Sequence, residues 1–429
     1  MWGKAVVETP HIDRLAKEGA LCTRFYATTP VCSPSRSAFV SGLYPQNTPV
    51  TTNNIPMNDS VVTFAEVLRR QGYATGYAGK WHLDGSGKPQ WGPKRQFGFA
   101  DNRYMFNRGH WKQLEDTQNG PRVKARKGNK PTYDVGGADE ESFTTDFLAD
   151  KTVDFIRENK GKPFCYMVSI PDPHGPDTVR PPYNKMFSNQ TYSKPRTYGP
   201  NKNRPSWSQP EGKKKCGYQQ SSYYGMVRCI DDNVGKILKA LTDTGLLDKT
   251  IVVFTSDHGD LRGEHHRQNK GVPLEASAKI PFVVRWPARI KAGTRVHEAL
   301  GCVDFLPTVL SLMGVKHNVA AEGRDASDLL TSGRAPDGWD DVAIIRSTEN
   351  SRGAGCKWIA AITKRYKLVA THQDELWLCD LEKDPDELTN FAEKPECKQV
   401  VAQLSKALIE YGQRCKDPYV QVIKNKLRV

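Results

Sequence analysis

Through most of the chain, apolar positions recur first at helical spacing and then at strand spacing. In residues 63–71 (TFAEVLRRQ), Phe64, Val67 and Leu68 share one helical face, and Gly72 follows as a stop. Residues 73–78 then read as a short strand. The unit repeats: a helix over 147–156 precedes a strand over 164–170, and a helix over 227–241 precedes a strand over 250–255. A strand at 281–285 and a helix over 303–313 close the run. This alternation predicts an α/β fold: a mixed, mostly parallel sheet sandwiched by helices.

Beyond residue 335 the texture changes. VAIIRST, WIAAITKRYKLVA and ELWLCDLEKDP read as consecutive strands joined by turns, and a helix from Lys394 to about Cys415 follows. The chain is therefore expected to divide into an α/β domain over 1–335 and a smaller α+β subdomain over 336–429, an antiparallel sheet plus a helix. No internal repeat is present.

Composition sharpens this picture at two places. The net charge is +14, and the excess is local. Residues 85–130 hold 11 basic and 3 acidic side chains, and residues 180–215 hold 9 and 1, so the rest of the chain is slightly acidic. Both stretches are rich in Gly, Pro, Asn and aromatic residues and read as long loops facing an anionic partner, either nucleic acid or a sulfated or phosphorylated substrate. The ten cysteines form no C-x-x-C pair, which argues against a zinc site, and leave room for a few disulfides. No apolar run approaches the ~20 residues of a membrane span.

Three predicted strands end in reactive residues. One runs into Gly79-Lys80-Trp81-His82, another into Pro171-Asp172-Pro173-His174, and a third into Ser256-Asp257-His258-Gly259-Asp260. Sites in open α/β sheets form outside the carboxyl ends of strands, so Lys80, His82, His174, Asp257 and His258 should share one rim. Within residues 28–45, Ser33 is a good N-cap, Pro34 suits the first helical position, and Gly42 ends the helix. Cys32 then precedes a helix N-terminus, where free N–H groups favour an anion, and Arg36 is one turn in.

Cys32-Ser33-Pro34-Ser35-Arg36, with Ser41-Gly42-Leu43-Tyr44-Pro45 after it, resembles the signature of the formylglycine-dependent (type I) sulfatases. Gly72 to His82 resembles the second signature of that family, Thr9 to Ala16 its early helix, Ser256 to Asp260 its late metal motif and Leu381 to Glu387 its C-terminal turn. The resemblance implies an alkaline-phosphatase-like fold and a sulfuric ester hydrolase. It implies that a formylglycine-generating maturase oxidises Cys32 and that a divalent cation, usually calcium, polarises the nucleophile. Arg36 and Lys80 should hold the hydrated aldehyde, with His82 as its base, His174 near the leaving oxygen and Lys270 on the sulfate. Cys32, Asp257 and His258 should face the metal, with Asp257 the firmer ligand.

Arg180 and His265 are expected to contact substrate. The basic, aromatic loops point to a sulfated polysaccharide or oligosaccharide. Residues 169–183 (SIPDPHGPDTVRPPY) resemble sulfatases that act on marine galactans such as carrageenan, and no nucleic-acid partner is expected. The alternatives are a phosphoester or phosphonate hydrolase of the same superfamily, or a metal-deficient relative that only binds polyanions.

One departure stands out. The family pattern opens on a buried strand ending in two adjacent aspartates, and no Asp-Asp pair precedes Thr9. The native protein is expected to carry an upstream extension with that strand, behind an export signal, and to work in the periplasm or outside the cell.

Overall fold

The computed structural model describes residues 7–199, 204–209, 220–350 and 356–428; one of the ten cysteines, Cys216, lies outside these. In chain order the α/β part contains α1 (Pro10–Glu18), β1 (Ala20–Tyr26), α2 (Cys32–Ser41), α3 (Phe64–Arg70), β2 (Ala74–Lys80) and β3 (Asp101–Phe106). It continues with α4 (Thr144–Glu158), β4 (Phe164–Ser169), α5 (Ser221–Asp243), β5 (Val252–Thr255), β6 (Lys279–Arg285), β7 (Thr294–Val296) and α6 (Phe305–Leu312). Each helix and strand expected from periodicity is present, with ends shifted by a few residues.

The strands form two groups. β3, β2 and β4 pair in that order, all parallel. The second group runs β7, β1, β6, β5. In it β6 lies antiparallel to both neighbours, so the sheet is more mixed than the alternation of helices and strands implied. Helices cover both faces, as the side chains of β6 record. Ile280, Phe282 and Val284 pack with Phe39, Phe64 and Phe305 on one face, while Val283 packs with Leu15, Ile156 and Leu238 on the other. This is strand alternation acting on a sheet buried from both sides.

β4 and β5 are the edges of their groups, and every residue of both lines one cavity of about 1540 Å³. Helices of both faces roof it, and its walls are mainly apolar. It is a strand-shaped cleft in the middle layer, open at one end onto Lys80, His174, Asp257, His258 and Lys270.

Residues 85–130, expected as loop, contain β3 and two hairpins, Leu114–Thr117 with Gly120–Val123 and Arg126–Lys127 with Lys130–Pro131. Their strands are short and mostly charged on the exposed side, which hid the alternation. Residues 180–209 remain irregular where described, apart from the one-turn helix Tyr183–Met186 and the turn Ser206–Ser208.

The C-terminal part is an antiparallel sheet of β8 (Ala343–Arg346), β9 (Trp358–Ile362), β10 (Tyr366–Thr371) and β11 (Trp377–Asp380), with α7 (Lys398–Arg414) against β9 and β10. It is fastened to the larger part by a buried ion cluster. Lys367 of β10 donates to Glu275 at 2.9 Å and to the Pro273 carbonyl at 2.7 Å, and pairs with Glu387 at 2.6 Å. Trp358 donates to the Gly271 carbonyl at 3.2 Å. The small sheet thus grips residues 271–275, directly after Lys270.

Among the described residues all nine cysteines are free, and no helix is long and apolar enough to cross a membrane. Replacing Lys367 with Met should leave the buried Glu387 without its cation, while Glu275 keeps Arg24 and Lys279. Urea unfolding should show a stability loss of about 3–5 kcal/mol.

Candidate active site

α2 begins at Cys32, two residues earlier than expected, with extended Val31 as its cap. Ser33 does not cap it: its hydroxyl is buried without a partner, and its backbone N–H donates to Asn53 Oδ1 at 2.9 Å. Gly42 ends the helix in the left-handed conformation, φ 70°, with its N–H on the Ala38 carbonyl. Cys32 therefore sits in the first turn, buried, its Sγ 3.3 Å from His258 Nε2. Burial alone would raise this thiol, but Lys80, His258 and His82 outweigh it and bring it well below the usual range. The position is built for an anion.

Arg36, one turn on, reaches three strand ends at once. Its Nε donates to Asp257 at 2.9 Å, and its Nη1 donates to the Lys80 carbonyl at 2.6 Å and to Ser169 Oγ at 2.7 Å. The Lys80 carbonyl also accepts from Tyr77 at 2.6 Å. β2 and β4 approach closely here. Gly79 has φ 101°, and a Cβ on it would stand 2.0 Å from the Ser169 carbonyl oxygen, so only glycine fits.

The cations and imidazoles face inward from these ends. Lys80 Nζ lies 2.9 Å from His110 Nε2, and Lys270 Nζ lies 3.4 Å from His174 Nε2. The rings of His110 and His174 stack at 3.4 Å. Burial, then Lys270 and Lys80, hold His174 to a pKa of about 4, so it is neutral at neutral pH. His82, at φ 64°, meets Asn54 Oδ1 through Nε2 at 3.1 Å. Its Nδ1 is buried with no partner, and burial keeps the ring below its ordinary pKa, leaving a lone pair ready to accept a proton.

Asp257 is held far below the usual carboxylate range. Burial opposes this, but His258, Arg36, Lys80 and Lys270 prevail. Cys32, Asp257 and His258 have donor atoms within 4.8 Å of one another. As a calcium site this set is incomplete: it offers one carboxylate, already engaged by Arg36, where the ion takes roughly 6–8 oxygens.

Arg36, Lys80, His174, Asp257, His258 and Lys270 thus converge on the open end of the cleft, with Cys32 against His258 and His82 beside Cys32. Two expected substrate contacts do not join them. Arg180 is buried in a bidentate pair with Asp146, at 2.8 and 2.9 Å, an internal tie between its loop and α4. His265 is buried too. Its N–H donates to Thr197 Oγ1, its carbonyl accepts from Arg204, and neither residue lines the cavity. Charge counting had no means of telling an internal pair from a free cation. Conversely, His110 escaped notice because it follows a charged strand that did not read as one.

A mixed α/β sandwich with a thiol at a helix start and two lysines and neutral imidazoles gathered at the rim of the sheet defines a hydrolase centre for a tetrahedral anion. Residues 2–315 match the Sulfatase family, and residues 263–414 match the C-terminal region of N-sulphoglucosamine sulphohydrolase. An ulvan-active sulfatase of Formosa agariphila is 29% identical, over 96% of this chain and 79% of its own length. An N-acetylglucosamine-6-O-sulfatase of Bacteroides thetaiotaomicron is 26% identical, over 97% and 84%. The yidJ crystal structure of Bacteroides fragilis superposes with a TM-score of 0.78 at 27% identity, covering 98% of this chain and 93% of that one. The chain belongs to the sulfatase family and is a sulfuric ester hydrolase.

Arg180→Ala should therefore act on folding and not on binding. Thermal melting should fall sharply because Asp146 is left buried without its cation, and KM of the folded fraction should stay unchanged.

Proposed function

We propose that the chain cleaves sulfate esters of a sulfated polysaccharide or oligosaccharide, with Cys32 carried as formylglycine in the working enzyme. The observation that carries this is the single rim on which Cys32, Arg36, Lys80, His82, His174 and Lys270 meet. Lys80 and Lys270 present ammonium groups to the sulfuryl oxygens, where charge builds as sulfur is attacked. His174, on the same side as Lys270, faces the leaving oxygen. His82 offers its unpaired Nδ1 to the proton released at position 32. Formylglycine, once a maturase has made it, supplies a hydrated aldehyde whose hydroxyl replaces the thiol as nucleophile.

The carbohydrate reading rests on two supports. The relatives above are described as acting on ulvan and on N-acetylglucosamine-6-O-sulfate. The basic stretch of residues 85–130 follows the Lys80 strand directly and carries the half-buried Trp91 and Tyr104, side chains suited to sugar faces.

Peptide mass spectrometry after expression with a maturase should find Cys32 converted, and Cys32→Ala should abolish sulfate release without changing the melting temperature. The converted enzyme should desulfate members of a panel of ulvan, carrageenan and glucosamine-sulfate oligosaccharides and leave an aryl phosphate nearly untouched. A fully active preparation with intact Cys32, or faster turnover of the phosphate, refutes the reading.

Calcium would supply Lewis acidity beside Asp257, His258 and position 32. The oxygen donors still needed fit an apolar strand laid in the cleft between β4 and β5, paired to both and ending in two aspartates at the rim. Extending the chain upstream with such a strand should raise calcium affinity, measured by calorimetry. Changing either aspartate to alanine should remove the gain. Strong calcium binding by the 429-residue chain alone would refute this part.

A further inference from the structure

His110 belongs to none of the family motifs quoted above, yet it touches two residues of the rim. Its ring lies flat on His174, with centroids 3.4 Å apart and planes 5° apart. Its Nε2 lies 2.9 Å from Lys80 Nζ. A lysine ammonium only donates, so His110 Nε2 carries the lone pair and the ring is the neutral Nδ1–H form. His174 is arranged the same way: its Nδ1 donates to the Gly175 carbonyl at 2.8 Å, and its Nε2 faces Lys270. Two neutral imidazoles therefore stand in parallel, each capped at Nε2 by a different lysine. Burial, with Lys80 and His174 beside it, keeps His110 in that state.

The loop carrying His110 is rigid in a way that aims this one ring. Asn107 is fully buried, and its Nδ2 donates to the carbonyls of Asp84, Gly85 and Gly87 at 3.1–3.2 Å. Gly109 has φ 122°, and a Cβ there would stand 2.3 Å from the Trp111 ring. Trp111 is buried, donates to the Arg108 carbonyl at 3.1 Å and packs on Tyr133 at 4.9 Å; Tyr133 in turn flanks His110 at 6.2 Å. The backbone on both sides of His110 is thus fixed by contacts that leave its ring one place to go.

We propose that His110 is a positioning residue of the sulfatase reaction: its ring sets the plane of His174, and its Nε2 holds the Lys80 ammonium at the sulfate side of the rim. The proposal rests on the function proposed above. It gives one residue control of both walls of the sulfate site, the lysine that neutralises charge and the imidazole that faces the leaving oxygen. Misplacing either group by an ångström is costly, because the chemistry depends on near-attack geometry.

The test uses three variants of the full chain, each checked by melting temperature. His110→Phe keeps a flat ring and loses the acceptor, His110→Gln keeps an acceptor and loses the stack, and His110→Ala loses both. On a small aryl sulfate, Ala should lower kcat by about 10- to 100-fold with KM within a few-fold of wild type. Gln and Phe should each recover part of that loss. Nitrogen NMR of histidine-labelled protein needs no turnover: His174 should keep its Nδ1–H form in wild type and lose that preference in the Ala variant. Unchanged kcat in all three variants, or full recovery by Phe alone, overturns the proposal and leaves His110 a packing residue. If wild type cleaves no sulfate ester, the function has failed, and the His174 signal in the Ala variant still decides whether His110 positions it.

Discussion

The Arg36 guanidinium donates to Asp257, to the Lys80 carbonyl and to Ser169, and these acceptors stand at the ends of β5, β2 and β4. Those strands belong to two separate hydrogen-bonded groups with a cleft between them. Among the described residues no ladder crosses that cleft, so Arg36 clamps the two groups together at the rim. The planar fork of an arginine serves such divergent acceptors; a lysine places one point charge and would leave some of them unsatisfied. Because Arg36 rides on the helix that starts at Cys32, the same turn that carries Cys32 also sets the spacing of the residues around it.

The electrostatics follow from this crowding. Lys80, Lys270 and Arg36 share a confined space with Asp257 and Cys32; the imbalance toward cations pushes both acids down against their burial, while burial first, and the neighbouring cations second, keep His82, His110 and His174 neutral. His258 alone among these rings is raised. Burial works against that, but Asp257 and Cys32 lie against it. The rim therefore combines proton acceptors with a standing excess of positive potential, the state in which an incoming anionic ester finds both charge and free lone pairs.

Much of this was legible in the chain itself. Strand ends are where open α/β sheets carry chemistry, so a lysine or histidine just past an apolar run announced its place before any coordinates. The helix at Cys32 and its stop at Gly42 followed from local backbone preferences. What stayed hidden depends on long-range packing. Arg180 and Lys270 look alike as letters, and only the fold sets one against Asp146 and the other against His174. The hairpins of residues 85–130 bury little beyond Leu114 and Val123, too few positions to show a period. The antiparallel run of β6 has no local signature, since direction is fixed by the neighbours a strand meets.

The Lys367 cluster gives the small sheet a meaning beyond architecture. Lys270 has no regular secondary structure of its own to hold it; the segment after it is pinned by Lys367 and Trp358, side chains of the C-terminal strands about a hundred residues away in sequence. The division into a catalytic part and an appendage is therefore a division of the chain and not of the work. The protein cannot be dissected into a working core and a dispensable tail. Grafting the Cys32 helix and its strands onto another scaffold would leave Lys270 without the sheet that holds its segment in place.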